Sequence, residues 1–164
     1  MRSQRQDGGF TLIEVMVTIG LMALLAIIAV PSFNDAALGS QLRATASDLA
    51  ASALLARSEA IKRNAVVTLC ASSDGLNCTG GGWEQGWLVT SGTVLQRQLA
   101  APSGLLVSAG GTAALMFQPI GAGATSATFT VCRATPTVGR EARVVTIDPT
   151  GRPWIKTTNP TTCP

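Results

Sequence analysis

The 164-residue sequence contains no histidine and no tyrosine, and aromatic residues make up only 4% of it. Histidine is the commonest general base and the commonest metal ligand of proteins, and tyrosine supplies the phenol donor of many active sites. The acids of this chain are scattered, and no nucleophile motif accompanies them. The sequence therefore predicts a protein that is not an enzyme and that holds neither a cofactor nor a metal.

Cysteine is also scarce, and the four residues are Cys70, Cys78, Cys132 and Cys163. No two of them form a CxxC motif, which argues against zinc binding and against thioredoxin-type chemistry. We predict disulfides, and hence a folded part in an oxidising compartment such as the periplasm or the cell exterior. Four cysteines allow three pairings. The preferred pairing joins Cys70 to Cys78 across a short loop and ties Cys163, near the chain end, back to Cys132.

Charge is nearly absent from one long apolar run near the N-terminus. Between Phe10 and Val30 the only ionised side chain is Glu14. As a helix this run would be roughly 31 Å long at about 1.5 Å per residue, which is enough to span a bilayer. A carboxylate in such a segment costs several kcal/mol, so Glu14 is expected to have a partner and a function.

The helix is predicted to continue past the membrane, because apolar residues from Leu38 onward recur in one helical stripe. The stripe consists of Leu42, Ala46, Leu49, Ala53, Ala56 and Ala60. Pro31 interrupts the helix where the apolar run ends, and an internal proline predicts a kink there. The charged residues of this second half are predicted to remain in water; they are Arg43, Asp48, Glu59, Lys62 and Arg63.

After Asn64 the sequence changes to short β-rich runs separated by clusters of Gly, Pro, Ser and Asn. The runs are AVVTLC, GWLVT, TVLQRQL, LLVSA, ALMFQ, ATFTVC and ARVVTID. They predict an antiparallel sheet, or two small sheets, packed against the end of the helix. The fold class is α+β, with a long N-terminal helix on a β-domain. Trp83 and Trp87 are expected to pack in its core.

The N-terminus has three interpretations. The first is a secretory signal peptide, with Arg2 and Arg5 before the apolar run and a cleavage site after Ala29. The second is a plain signal anchor in which Glu14 is accidental. The presence of Glu14 and of an amphipathic helix directly after the apolar run argues against the first.

The third interpretation rests on GGFTLIEV, which begins at Gly8. Gly9 followed by Phe10 and Glu14, after a short basic leader, resembles the class III signal of type IV prepilins and pseudopilins. The resemblance implies that prepilin peptidase cuts after Gly9 and methylates the new N-terminus on Phe10. Glu14 and Pro31 then fall at the mature positions where the family carries its glutamate and its helix-kinking proline. It also implies that Glu14 serves filament assembly by pairing with the Phe10 amine of an adjacent subunit.

Later segments resemble the FimT, FimU and GspH group of minor pilins and pseudopilins. They are LLARSEAIKRNAVVTLC from Leu54, WEQGWLV from Trp83, and the VCR, RVV and TGR blocks of the last third. The resemblance implies a type IV pilin-like fold in four parts. These are a leader (residues 1–9), a transmembrane and filament-core helix (10–31), its amphipathic continuation (32–64), and a periplasmic or extracellular β-domain (65–164).

The function that the resemblance implies is that of a minor type IV pilin of the FimU/FimT type. Such a protein is a structural subunit of a tip complex that primes pilus assembly. Its expected partners are other minor pilins, the major pilin and prepilin peptidase. It would sit in the inner membrane with a periplasmic C-terminal domain and then move into the extracellular pilus, at or near the tip. A GspH-like minor pseudopilin of type II secretion is the alternative, although the cysteine pattern and the C-terminal block fit pilus-type members better.

A DNA-binding minor pilin for natural transformation is a further alternative. It rests on a basic C-terminal region with an aromatic residue, made up of Arg140, Arg143, Arg152, Trp154 and Lys156. DNA receptors of the FimT type carry a GRxR motif here. This sequence has Trp154 where the second arginine is expected after Gly151-Arg152, and Gly139-Arg140-Glu141-Ala142-Arg143 has one residue too many. The competing interpretation is a solvated strand face, because alternate residues of ARVVTID and RPWIKT would point to water.

Overall fold

The computed structural model describes residues 10–134, 141–160 and Cys163. A helix, α1 (Leu12–Arg63), precedes eight strands and one short 3-10 helix (Trp83–Gln85). The strands are β1 (Val67–Ala71), β2 (Trp87–Thr90), β3 (Val94–Gln98), β4 (Leu105–Ser108), β5 (Ala114–Phe117), β6 (Ala127–Arg133), β7 (Ala142–Ile147) and β8 (Pro153–Thr158). This order confirms the predicted α+β class. The chain divides into two compact units between Ala36 and Ala37.

The first unit is the apolar part of α1. Thr11 caps the helix, since its Oγ1 accepts a hydrogen bond from the backbone N–H of Glu14 at 3.3 Å. Every described side chain from Phe10 to Ala29 is exposed. By length and composition this part of the helix could cross a membrane. The helix is continuous through Pro31, and the kink expected at that proline stays a prediction.

The second unit contains the rest of α1 and both sheets. All six residues of the Leu/Ala stripe are buried, which confirms the face predicted from their spacing. The structure corrects one of the charges that were predicted to remain in water. The Glu59 side chain is only 14% exposed, and it forms ion pairs with Arg63 and Lys62 at N–O distances of 2.6 and 3.4 Å. Arg43, Asp48, Lys62 and Arg63 are exposed as predicted.

The strands form two four-stranded antiparallel sheets, in the orders β3-β2-β1-β5 and β4-β6-β7-β8. Each of the seven predicted runs contains one strand, and RPWIKT supplies most of the eighth. The register places core residues opposite one another, as with Leu69, which lies opposite Val89 and also opposite Leu115. All three are fully buried, so one face of this sheet is set by side-chain alternation.

Two tryptophans, Trp83 and Trp87, are buried in the core, as expected for the large aromatics of this chain. Trp83 meets Phe129 edge to face with ring centroids 4.7 Å apart, and its Nε1 donates to the carbonyl oxygen of Thr112 at 2.7 Å. Trp87 Nε1 donates to Ser52 Oγ at 2.9 Å, which ties β2 to the helix. Between them Gly86 has φ +118°, and a Cβ there would lie 2.7 Å from the carbonyl oxygen of Gln98. Glycine is therefore required at this position.

Candidate functional site

The residues on which filament assembly was predicted to depend lie at the start of α1 and just before it. Phe10 and Glu14 are both exposed, while Gly9 lies outside the described residues. No ion pair of Glu14 is found within the described part of the chain, and its pairing with a neighbouring subunit stays a prediction. The positive end of the helix dipole also favours a carboxylate at this position.

The sequence interpretation missed a capping pattern at the start of α1. Thr11 is the N-cap and Glu14 is the third residue of the helix, so the pair forms the threonine-x-x-glutamate pattern of a capping box. The Thr11 hydroxyl accepts a hydrogen bond from the backbone N–H of Glu14, which is one of the two bonds of a capping box. The pattern TLIE was legible in the sequence, and the bond that the structure shows for it is the one that Thr11 accepts.

The cysteines are paired as Cys70–Cys78 and Cys132–Cys163, with Cα–Cα distances of 5.6 and 5.8 Å. The first bond closes the loop that follows β1. The second joins the end of β6 to the end of the chain across 31 residues. Closing a loop of that length contributes roughly 3 to 4 kcal/mol in the chain-entropy description.

The loop closed by Cys70 and Cys78 is organised by one carboxylate. Asp74 Oδ1 accepts the backbone N–H groups of Asn77 and Leu76 at 2.9 and 2.8 Å and the hydroxyl of Ser72 at 3.0 Å. Its Oδ2 accepts Asn77 Nδ2. These bonds, the Asn77 backbone bond first, hold the pKa of Asp74 well below its usual range.

The five residues of the predicted DNA site do not share one face of the sheet. Arg140 lies outside the described residues. Arg143 lies opposite Thr157 on β8 and opposite Val131 on β6. It therefore belongs to the alternate residues of β7 that face the core. Its guanidinium binds Glu141 and Thr157. Trp154 and Lys156 alternate with Ile155 and Thr157, so they lie on the opposite face.

Arg152 belongs to the turn that leads into β8. Asp148 Oδ1 accepts the Thr150 hydroxyl at 2.5 Å, the Thr150 backbone N–H at 2.8 Å and the Arg152 backbone N–H at 3.1 Å. The Thr150 hydroxyl is the main cause of a lowered pKa at Asp148. The Arg152 side chain is exposed. Its backbone thus has a structural role, and its guanidinium remains accessible.

No group of three or more potential metal ligands occurs among the residues that the structure describes. The site that emerges is therefore a set of assembly features. They are an apolar helix whose described side chains are exposed and whose first turn carries a carboxylate, and a β-domain with its own core and two disulfides.

Comparison with known proteins identifies the family. Residues 45–151 match the family model described as type II transport protein GspH. The chain belongs to the GspH family. Residues 4–30 of this GspH-family chain also match the prokaryotic N-terminal methylation motif, which includes Gly9, Phe10 and Glu14. Together the two matches confirm the predicted family of type IV minor pilins and pseudopilins. No curated protein sequence matches the chain.

Solved structures confirm the pilin-like fold of this GspH-family chain. A crystal structure of the type IV minor pilin FimU of Pseudomonas aeruginosa superposes with a TM-score of 0.59 at 22% identity, covering 75% of this chain and 96% of that one. The minor pseudopilin EpsH of the Vibrio cholerae type 2 secretion system gives a TM-score of 0.51 at 19% identity, covering 71% and 96%. At these identities the likeness concerns the fold alone.

The Asp74 loop predicts a pH dependence of stability. Because folding lowers the pKa of Asp74, the carboxylate stabilises the folded state at pH values above its unfolded pKa of about 3.9. That contribution is lost as the pH falls from about 3.9 to below the pKa that Asp74 has in the folded protein. The Asp74→Asn variant should therefore unfold at lower urea than the wild type at pH 7, and the difference should shrink below pH about 4. Urea titrations of residues 37–164 at several pH values measure it, and a difference that does not change with pH would contradict the assignment.

Proposed function

We propose that this chain is a minor type IV pilin of the FimU/FimT type, a non-enzymatic subunit of the complex that primes pilus assembly. The observation that carries the proposal is the order of the two family matches along the chain. A methylation motif at residues 4–30 precedes a GspH region at residues 45–151. The apolar part of α1 lies within the methylation motif, and its described side chains are exposed.

The exposed helix explains why such a chain needs both a membrane and partners. Apolar surface of this extent is stable only in lipid or against other apolar helices. We infer that the bilayer covers it before assembly, with the β-domain in the periplasm, where its disulfides can form. In the filament, the helices of other minor pilins and of the major pilin would replace the lipid. A position at or near the tip follows from a priming role.

Processing of the N-terminus is the test of this proposal. The mature protein is expected to begin at Phe10, to carry one added methyl group, and to remain uncut in cells without prepilin peptidase. Intact-mass measurement and N-terminal sequencing of the protein from both kinds of cell give the answer. A chain that keeps Met1, or one that begins after Ala29, would overturn the proposal and leave an anchored or secreted β-domain.

The leader offers a matched control, because Gly8 and Gly9 are adjacent glycines. Gly9→Val is expected to block cleavage, since a branched side chain would occupy the position next to the cut bond. Gly8→Val should leave cleavage largely intact. Equal effects of the two changes would indicate a general requirement for a flexible leader and would not support a cut after Gly9.

A type II secretion pseudopilin is the second candidate, since EpsH shares the fold and the family model bears the GspH name. The two disulfides and the C-terminal block favour the pilus, as the sequence interpretation argued. If the chain is a pilin, deletion of its gene should reduce the number of surface pili and leave the secretion of folded exoproteins unchanged. The opposite result would assign the chain to secretion.

DNA binding stays a prediction, and the described geometry does not favour it, because Arg143 faces the core side while Trp154 and Lys156 face outward. If DNA is bound, Arg152→Ala should weaken the binding, and affinity should fall steeply with salt because phosphate contacts release counterions. Gel retardation with residues 37–164 at low and moderate salt measures both effects. Absence of retardation at low salt would dismiss this function.

A further inference from the structure

The outer face of the β4-β6-β7-β8 sheet carries an exposed aromatic residue beside hydroxyl groups. Trp154 lies opposite Thr146, and Thr146 lies opposite Thr128. The next row, Ile155-Val145-Phe129, contains two fully buried residues. Side chains alternate along strands, so the row of Trp154, Thr146 and Thr128 lies on the face away from the core. We call this row the Trp154 row.

The surroundings of the Trp154 row are mostly polar and uncharged, with Arg152 in the turn before β8 and Asp148 in the groove as nearby charges. The row beside it adds the hydroxyls of Ser108 and Thr130, together with Val144 and Lys156. Lys156 is the one ionisable residue that the described strands place on this face. Hydroxyl groups can donate and accept hydrogen bonds. The face therefore suits a ligand that is itself rich in hydroxyls and needs little charge for recognition.

A groove adjoins the Trp154 row at the end of the sheet, with a volume of about 570 Å³. Thr128 and Thr146 line it on one side, and its other polar residues are Thr112, Ser126 and Asp148. Asp148 is oriented by the turn, because its Oδ1 accepts three hydrogen bonds from Thr150 and Arg152. Its Oδ2 takes no part in those bonds and can accept from a ligand.

These features favour one class of ligand. A nucleic acid would need several cations, whereas the residues near Trp154 supply Lys156 and, from the turn, Arg152, and Arg143 lies on the opposite face. A protein interface would be expected to centre on a cluster of large apolar side chains. On this face the large exposed apolar residues are Trp154 and, at the far end of the sheet, Leu106. A flat ring with hydroxyls around it matches an isolated indole bordered by threonines.

We propose that the Trp154 row and the adjoining groove bind a neutral oligosaccharide. The indole of Trp154 covers the C–H face of one pyranose ring. The hydroxyls of Thr128 and Thr146 and the Oδ2 of Asp148 exchange hydrogen bonds with the sugar hydroxyls. This proposal does not rest on the assignment to a pilus, because the face belongs to a single β-domain.

The three tryptophans of the chain make the test specific. Trp83 and Trp87 are only 2% and 1% exposed, whereas Trp154 is 50% exposed. Quenching of tryptophan fluorescence by acrylamide therefore reports mainly on Trp154. The probes are chitotetraose and maltotetraose, added to the full mature chain in a detergent without a sugar headgroup. An oligothymidylate of similar length serves as the nucleic-acid probe.

We expect at least one tetrasaccharide to protect Trp154 from acrylamide in a saturable manner, while the oligothymidylate does not. Thr146→Val, which removes one hydroxyl, should weaken the protection about fivefold. The matched control is Thr68→Val, a half-exposed threonine on a strand of the other sheet, which should change nothing. Calorimetry, which needs no reporter, should show at least about tenfold weaker binding for Trp154→Ala.

Three outcomes would overturn the proposal. The first is that neither sugar protects Trp154 at the highest soluble concentration. The second is that protection survives Thr146→Val and calorimetric binding survives Trp154→Ala, which would locate the sugar elsewhere. The third is protection by the oligothymidylate alone, which would assign the face to nucleic acid. Circular dichroism of each variant distinguishes loss of binding from loss of the fold.

Discussion

Replacing Glu14 with alanine is expected to abolish incorporation of the protein into filaments while leaving its membrane insertion intact. In the proposed assembly the carboxylate pairs with the Phe10 amine of a neighbouring subunit inside an apolar bundle of helices. There an unpaired amine would keep its full desolvation cost. Removal of Glu14 also makes the helix more apolar, so insertion into the bilayer should not suffer. Immunoblots of sheared pili and of membrane fractions measure the two quantities.

Glu14→Ala changes the capping-box position as well as the charge, so a second variant is needed to attribute the loss of assembly to charge pairing. Glu14 is the third residue of a helix capped by Thr11, and glutamine serves equally well at that position of a capping box. Glu14→Gln therefore keeps the local hydrogen-bonding capacity and removes only the charge. If charge pairing matters, Glu14→Gln should fail in assembly as Glu14→Ala does.

Recovery of assembly by Glu14→Gln would contradict the pairing role and would assign Glu14 to the start of its own helix. Thr11→Ala gives the complementary result. It removes the hydroxyl that accepts the Glu14 N–H at 3.3 Å but leaves the carboxylate. Under the pairing hypothesis this change should cost helix stability, typically about 1 kcal/mol, without stopping assembly.

The positions of the helix and strands were predictable because local rules decide them. An apolar stripe at helical spacing defined one face from Leu42 to Ala60, and the β-rich runs were separated by segments that contain Gly, Pro, Ser or Asn. Trp83 and Trp87 had to be buried somewhere, because the chain has few other large aromatics. In these segments local propensity and tertiary packing agree.

The arrangement of the C-terminal residues could not be predicted in the same way. Alternation places Trp154 and Lys156 on one side of their strand, but only the register between β7 and β8 relates that side to Arg143. The turn between Asp148 and Arg152 sets this register. Its three hydrogen bonds to one carboxylate oxygen are tertiary geometry, which residue spacing does not reveal.

Glu59 shows a similar limit on a helix surface. Its sequence position among charged residues indicated a solvated side chain. Its i+3 and i+4 neighbours are Lys62 and Arg63, which lie on the same side of a helix. The structure contains ion pairs of Glu59 with both, and the Glu59 side chain is mostly buried. The hydrogen bond from Arg63 is the main cause of a lowered pKa at Glu59. A run of charged residues therefore does not fix the exposure of each side chain, because ion pairs within the run change it.

The largest loss of fold stability is expected for Trp83→Ala. The side chain is buried, packs edge to face on Phe129 and donates to the carbonyl oxygen of Thr112. Truncation would leave a large cavity and an unpaired carbonyl group, and such changes cost about 3–5 kcal/mol of the free energy of unfolding. Because a small domain is stabilised by only about 5–15 kcal/mol in total, the variant should be close to unfolded at 37 °C.

Urea unfolding of residues 37–164, with and without the substitution, measures the loss, and the chain provides its own control. Trp154→Ala removes the same chemical group from an exposed edge strand, where a change within about 0.5 kcal/mol is expected. Trp83→Phe should be intermediate, since the ring remains while the Thr112 carbonyl loses its donor. Equal losses for Trp83→Ala and Trp154→Ala would mean that the core is not organised around Trp83. In that case the helix stripe, which packs in the same core, would have to supply most of its stability.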